Sequence, residues 1–291
     1  MSSQTACASQ VNAANSPQLI RSALGHSPEL AALLPACRDL NSAFNELRWI
    51  REHIDKTVGL NRKRHLERLC QKRGRGVPLQ YLLGTQPFGS LNIKCKPGVL
   101  IPRPETEAYV CHLQNLLESG DLLGQKLSGL GHLRIIDFCT GTGCIPLHLF
   151  SALQRSVRSL QICGVDISPV ALELAQENAR YNVAQGRMAS SNDKQALFFQ
   201  KADIFRDTDM QQFTGLPWDI MISNPRMYLE KSGITAGDRW GTLHGSMSLV
   251  LHWSRKMICL LLLPGYYMKI FFTQDYWILP KHSVPKSFLW K

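Results

Sequence analysis

From Leu133 onward the chain alternates short apolar runs with stretches of helical spacing, and that rhythm leaves few folds open to it. Residues 133–138, 160–165, 196–201, 219–223 and 257–263 read as strands, and helical spacing over 169–182 separates the second from the third. Such alternation predicts an α/β architecture with a mostly parallel, doubly wound sheet. No apolar run reaches the roughly 20 residues that span a bilayer. The longest, from Met257 to Leu263, stops at Pro264 and reads as a buried strand, so no membrane partner is expected.

The first third has a different texture. Ser27-Pro28-Glu29 offers a helix cap, a proline at the first helical position and an acid in the first turn. Leu40, Phe44, Leu47, Ile50 and Ile54 recur on one face of a 3.6-residue period, and Leu66, Leu69 and Cys70 share a face between Arg62 and Gly74. Helices joined by short loops predict a small bundle. Between the two regions, Leu91, Ile93 and Cys95 alternate with polar residues before Pro97-Gly98 and Val99-Leu100-Ile101, a pattern that predicts a hairpin.

The formal charge of +11 favours an acidic partner: nucleic acid, a ribonucleoprotein or an acidic protein face. Solubility alone is the other explanation. Part of the excess is local, with Arg51, Lys56, Arg62, Lys63, Arg64, Arg68, Lys72 and Arg73 lying between Arg48 and Arg75. The nine cysteines are scattered and include no C-x-x-C pair, which argues for a reducing compartment and against a zinc site or a disulfide framework. The first 28 residues are rich in Ser and Ala and contain no acid, a composition that suits organelle import, although Arg21 is their only strong base.

Chemistry gathers at four expected strand ends. Asp137-Phe138-Cys139-Thr140-Gly141-Thr142-Gly143 follows an apolar strand and opens a helix, so its glycines would let the backbone turn sharply against a ligand. Pro146 stands where a dinucleotide fingerprint wants its third glycine, which favours a nucleoside without phosphates; an ordinary tight turn is the alternative. Asp166 ends the next strand, 23 residues past Gly143, near the spacing at which a carboxylate takes ribose hydroxyls. Its alternative is a helix cap, a role that Ser168, followed by Pro169, fills better. Asp203 and Ile204 close a third strand and could wall an adenine ring or form a surface turn. Asn224-Pro225 closes a fourth, where a rigid Asn would offer a side-chain oxygen to the two protons of a substrate NH2, or simply form a turn.

With these motifs together, the chain resembles the HemK/PrmC family of protein-(glutamine-N5) methyltransferases. The resemblance rests on Pro78-Leu79-Gln80-Tyr81-Leu82-Leu83-Gly84, Phe88, the stretch from Val99 through Pro102-Arg103-Pro104-Glu105-Thr106-Glu107, and then Asp137 to Gly143, Asp166, Asp203 and Asn224-Pro225. It implies a Rossmann-like class I methyltransferase domain over 102–291, behind an N-terminal helical domain over 1–84 that helps hold a release factor, with a β-hairpin linker over 85–101. It also implies S-adenosyl-L-methionine as cofactor, held by Asp137, Cys139, Thr140, Gly141, Thr142, Gly143, Asp166, Asp203, Ile204 and Asn224. The implied partner is a peptide-chain release factor, methylated on the glutamine of its Gly-Gly-Gln motif. Asn224, Pro225 and Tyr228 are the implied catalytic residues. A monomer in the mitochondrion is the expected setting, with the cytoplasm as the alternative and with direct nucleic-acid contact left open.

The sequence departs from the family at that last motif. Asn-Pro-Pro-Tyr reads Asn224-Pro225-Arg226-Met227 here, with Tyr228 one place late, and the fit worsens after about residue 225. A slip of about 1 Å can cost on the order of 100-fold in rate. Two other readings therefore stand beside glutamine methylation. One is a relative that binds cofactor and partner without turnover; the other is an N6-adenine methyltransferase acting on nucleic acid.

Overall fold

A computed structural model describes residues 16–57, 59–214, 218–224, 258–261 and 269–272. The chain divides into two compact units between Thr85 and Gln86.

The first unit is helical because its starts are capped and its apolar residues recur at helical spacing. Ser16 and Ser27 accept hydrogen bonds from the backbone N–H of Leu19 (3.2 Å) and Leu30 (3.1 Å), and each precedes a proline at the head of α1 (Pro17–His26) and α2 (Pro28–Cys37). α3 (Leu40–Thr57) buries Ala43, Leu47, Ile50 and Ile54. Phe44, expected on that face, is instead 42% exposed and meets His26 edge-on at 5.1 Å. The reason is geometric: Ala43 starts the row that reaches Leu47, Ile50 and Ile54, and Phe44 lies about 100° round the helix from it. α4 (Arg62–Gly74) contributes Cys70 and α5 (Leu79–Leu83) contributes Leu79 to a core built on Leu30, Leu33 and Leu34. Arg73 grips Glu46 through two bonds of 2.6 and 2.9 Å, so that member of the basic cluster is structural.

The hairpin forms one turn earlier than the alternation suggested. β1 (Thr85–Phe88) and β2 (Leu91–Lys94) pair across Gly89-Ser90, while 95–103 contains no strand. Gly89, at φ 56°, takes the first central position of a two-residue turn, where only glycine is at ease and the backbone twist matches that of the strands. Past Lys94 the chain turns on itself instead of pairing: the Val99 N–H bonds back to the Lys96 carbonyl at 3.3 Å across Pro97-Gly98.

The second unit is organised on a six-stranded sheet of order β5-β4-β3-β6-β7-β8. In chain order its elements are α6 (Pro104–Ser119), β3 (Leu133–Phe138), α7 (Cys144–Leu153), β4 (Leu160–Asp166), α8 (Pro169–Ala184), β5 (Gln195–Lys201), α9 (Asp207–Thr214), β6 (Ile220–Ser223), β7 (Ile258–Leu261) and β8 (Lys269–Phe272). All adjacent pairs are parallel except β7 with β8. This is the mostly parallel sheet expected from the alternation, in the Rossmann-like arrangement that the resemblance implied. The period of two sorts the strands: Leu133, Ile135, Leu160, Ile162, Ile220 and Ile222 pack with α6 and α7, while Ile136, Phe138, Cys163, Val165 and Met221 pack with Met210 and Phe213 of α9. Strands covered on both faces have no polar side, which is why they read as continuous apolar runs.

Candidate functional site

β4 and β6 flank β3 on opposite sides, which makes the carboxyl end of β3 the topological switch point where open α/β sheets form their ligand crevice. Three alternate residues of the loop that follows have positive φ: Cys139 at 61°, Gly141 at 55° and Gly143 at 76°. That repetition winds the backbone tightly between β3 and α7. At Gly143 the need is also steric, since a Cβ there would lie 2.9 Å from that of Ala175. Cys139 adopts the same conformation without glycine's freedom, at a cost of about 1–2 kcal/mol. Burial, and then the carboxylates of Asp166 and Asp137, push its thiol up to about 12.

Asp166 lies where the spacing placed it. Its Oδ2 accepts the Gly141 N–H at 2.8 Å and its Oδ1 accepts the Ser168 N–H at 2.9 Å. One carboxylate thus ties the glycine loop to the start of α8, and each oxygen keeps a lone pair for a further donor. Ser168 is the cap of α8, accepting from Ala171 N at 3.3 Å, with Pro169 next. Asp203 follows β5 and turns Oδ1 back onto the Phe205 N–H at 3.0 Å. Ile204 is only 8% exposed and its side chain is spent in the core beside Ala202 and Met210. Asn224 directly follows β6, one residue beyond the Phe138–Ser223 pairing, and donates from Nδ2 to Thr106 Oγ1 at 3.0 Å. Pro225 and Tyr228 lie outside the described residues.

The crevice holds buried polar groups with nothing to bond. Both carboxylate oxygens of Asp137, the Thr140 hydroxyl and the Ser223 hydroxyl are buried without a hydrogen-bond partner among the described residues. Burial raises the Asp137 carboxyl to about 8, with the adjacent Thr140 hydroxyl opposing and the Asp166 charge adding to the rise. His148 Nδ1 and Gln195 Oε1 are also without a partner among the described residues, but only at the adjacent ends of β3 and β6 do several such groups cluster. Unsatisfied polar atoms cost about 1–3 kcal/mol each, so that cluster is suited to a ligand carrying donors.

A second group of residues supports the loop, and the sequence reading missed it. Asn178 accepts the Lys94 N–H at 2.6 Å and donates to the carbonyls of Lys94 (3.2 Å) and Thr142 (3.0 Å). One helical turn on, Asn182 accepts the Asn92 N–H at 3.0 Å and donates to its carbonyl at 3.0 Å. The two side chains act as a mock strand that docks β2 on α8 and fixes the glycine loop through Thr142. Two asparagines four apart on the apolar side of a helix were the available signal, because Asn is poorly placed there unless it is bonded. Glu107 likewise accepts the Gly89 N–H at 2.7 Å, anchoring the hairpin turn to α6.

No family model matches the chain. Among curated proteins it is 39% identical, over 61% of its length, to the mitochondrial MRF1 N(5)-glutamine methyltransferase of Saccharomyces cerevisiae. It is 32% identical, over 72% of its length, to a probable mitochondrial MRF1 N(5)-glutamine methyltransferase of Schizosaccharomyces pombe, and 36% identical, over 57%, to the release factor glutamine methyltransferase of Vibrio cholerae. Over the matched stretch, the chain is therefore similar to N(5)-glutamine methyltransferases named for release factors, the proteins of the HemK/PrmC resemblance. It spans 52%, 64% and 48% of those three proteins' own lengths. The linker signature that carried the HemK/PrmC resemblance now has physical content: Pro104 opens α6, Thr106 meets Asn224 and Glu107 secures the hairpin.

Proposed function

We propose that this protein methylates a glutamine side-chain nitrogen in a peptide-chain release factor, with S-adenosylmethionine as methyl donor. The observation that carries the reading is the convergence at adjacent strand ends of a carboxylate already seated on the glycine loop, three buried polar residues without a partner among the described residues, and an asparagine amide. The names of the relatives supply the reaction, and the two yeast proteins supply the mitochondrial setting, in keeping with the acid-free first 28 residues.

The residues present fit this cofactor. Asp137, held near neutrality in an apolar strand, would regain its charge against an ammonium group; Thr140 and Ser223 would complete their bonds. Asp166 would receive ribose hydroxyls on its remaining lone pairs, and Asp203 and the backbone at Ile204 would border the base. When bound, the sulfonium supplies the activated methyl group. Asn224 would accept an amide proton from the substrate on Oδ1 and so aim the nitrogen lone pair, with the carbonyl of Pro225 taking the second and Tyr228 flanking the amide. Catalysis is then mostly positioning, with no acid or base needed at the nitrogen before transfer.

The helical unit would hold the release factor's Gly-Gly-Gln domain. Lys63, Arg64, Arg68 and Lys72 are exposed on α4, and Arg64, Arg68 and Lys72 repeat every four residues along one face, suited to an acidic protein surface. The protein is read as a monomer.

The test is mass spectrometry of a recombinant mitochondrial release factor incubated with the chain and labelled cofactor. One methyl group on the Gly-Gly-Gln glutamine is expected, lost in Asn224→Ala while calorimetry still shows cofactor binding. Transfer to oligonucleotides instead would sink the reading. A second reading, cofactor binding without turnover, is favoured by Arg226 and Met227 in the catalytic tetrapeptide; binding with no transfer would establish it.

A further inference from the structure

Asn224 and Thr106 are 118 residues apart in sequence, yet their side chains meet at 3.0 Å. Thr106 is 7% exposed, in the first turn of α6. Nothing about a threonine in a helix's first turn announced this contact, and the proposed reaction does not by itself require it. An asparagine amide has two faces of opposite character: an oxygen that accepts and an NH2 that donates. Which end faces the crevice decides what the crevice can hold. With Nδ2 committed to the Thr106 oxygen, the NH2 end is turned toward α6. Oδ1 takes no hydrogen bond among the described residues. In the opposite orientation the amide would offer two N–H donors to a substrate NH2, donor against donor, and no lone pair would be steered.

The geometry points to Thr106 as a positioning residue that sets the orientation of the Asn224 amide, leaving Oδ1 free to accept a proton of the substrate's NH2 group. The assignment rests on glutamine methylation as proposed above. It gives the Pro-Glu-Thr-Glu segment a part in the reaction, since the turn that starts α6 delivers one hydroxyl to the residue that closes β6. The hydroxyl is the operative group. Thr106→Val keeps the shape and removes the acceptor, whereas Thr106→Ser keeps the acceptor.

Two measurements on the full chain test this and separate it from the reaction. In protein labelled with 15N-asparagine, the Asn224 side-chain resonance, identified by its loss in Asn224→Ser, is expected to show one Nδ2 proton protected from solvent exchange. Thr106→Val should raise that exchange by about tenfold or more, a lost hydrogen bond of about 1.4 kcal/mol; Thr106→Ser should not. In methyl transfer to a release factor, Thr106→Val should lower kcat by roughly 10- to 100-fold, as expected for a misaimed reacting group. KM for the cofactor should stay within about twofold, and Thr106→Ser should recover most of the rate. An Asn224 resonance that ignores Thr106→Val overturns the contact. A Thr106→Val enzyme of parental kcat overturns its role. If the parent transfers no methyl group at all, the proposed reaction fails and the positioning role fails with it, while the exchange measurement still decides whether Thr106 orients the amide.

Discussion

Two neighbouring parts of the second unit bury polar side chains and treat them in opposite ways. Along the seam between β2 and α8, Asn178 and Asn182 have both ends of their amides bonded to backbone groups of the hairpin or the glycine loop. At the carboxyl end of β3, a few residues away through Thr142, Asp137, Thr140 and Ser223 are equally buried and make no hydrogen bond of standard geometry among the described residues. The sheet, the solvent exclusion and the local packing are shared, so burial is not what separates them. The seam is finished by the protein itself, whereas the crevice is left for something else to finish. A cluster of buried polar groups at the ends of neighbouring strands therefore points to function when its bonds are missing and to architecture when they are complete.

The sharpest way to break this comparison is at the seam. Asn178→Ala removes three hydrogen bonds and strands the Lys94 N–H and the carbonyls of Lys94 and Thr142, so a loss of about 3 kcal/mol is expected in urea unfolding. Cofactor affinity should fall as well, because Thr142 loses its anchor. A loss below about 1 kcal/mol would mean that the seam is held by something other than its amides.

The crevice should respond with the opposite sign. The Asp137 carboxyl has a folded value of about 8, raised first by burial from an ordinary value of 3.8. The folded state therefore holds a proton that the unfolded state has released. Stability from this group is full below about pH 4 and is lost as pH rises through 8. Asp137→Asn abolishes that slope, so without cofactor the variant should gain on the parent from pH 5 to pH 8, by about 2 kcal/mol at the upper end. Its cofactor affinity should drop over the same range. A variant no more stable than the parent at pH 8, measured by thermal melting, would show that the missing bonds at Asp137 carry no penalty.

Most of the sheet was legible in the sequence, because strands covered on both faces appear as apolar runs whatever their neighbours do. Asp166 was legible too, since its place at a strand end fixes it against the loop that the preceding glycines shape. The hairpin was misplaced because alternation continues past Lys94 to Cys95, whereas the turn preference of Gly89 sets the pair and Pro97-Gly98 forms only a local turn. The 3.6-residue period placed Phe44 with Leu47, Ile50 and Ile54, but the helix phase set by Ala43 turns it outward. The partners of Asn178 and Thr106 could not be read, because they lie 36 to 118 residues away and depend on how separate elements pack. Pattern along the chain reveals elements and their ends; it does not reveal which side chain meets which across them.

Cys139 offers a smaller test on the crevice side. Its φ of 61° costs an L-residue about 1–2 kcal/mol, and part of any gain from glycine is returned as added freedom in the unfolded chain. Cys139→Gly should therefore stabilise the protein by about 0.5–1 kcal/mol without weakening cofactor binding. A destabilised variant would mean that the thiol, which lies beside Ser223, contributes packing worth more than the strain it imposes.

The smallest expected effect returns to the seam, at its wet edge. Glu177 sits one residue before Asn178 and takes both Lys94, at 2.9 Å, and Lys96. Hydrogen bonds from Lys96 and then Lys94 hold its carboxyl down at about 2, from an ordinary value of 4.5. The sign is that of a depressed acid: the stability is present above pH 4.5 and is lost as pH falls toward 2. Yet Glu177 and Lys94 are about 30% exposed and Lys96 is 54% exposed, so water and salt screen most of the attraction. Glu177→Gln should cost only about 0.5 kcal/mol at pH 7, less in high salt, with the difference from the parent closing as pH is lowered from 4.5. Should it instead cost as much as Asn178→Ala, the seam would owe its strength to charge rather than to matched amides, and the contrast with the crevice would have to be drawn on electrostatics.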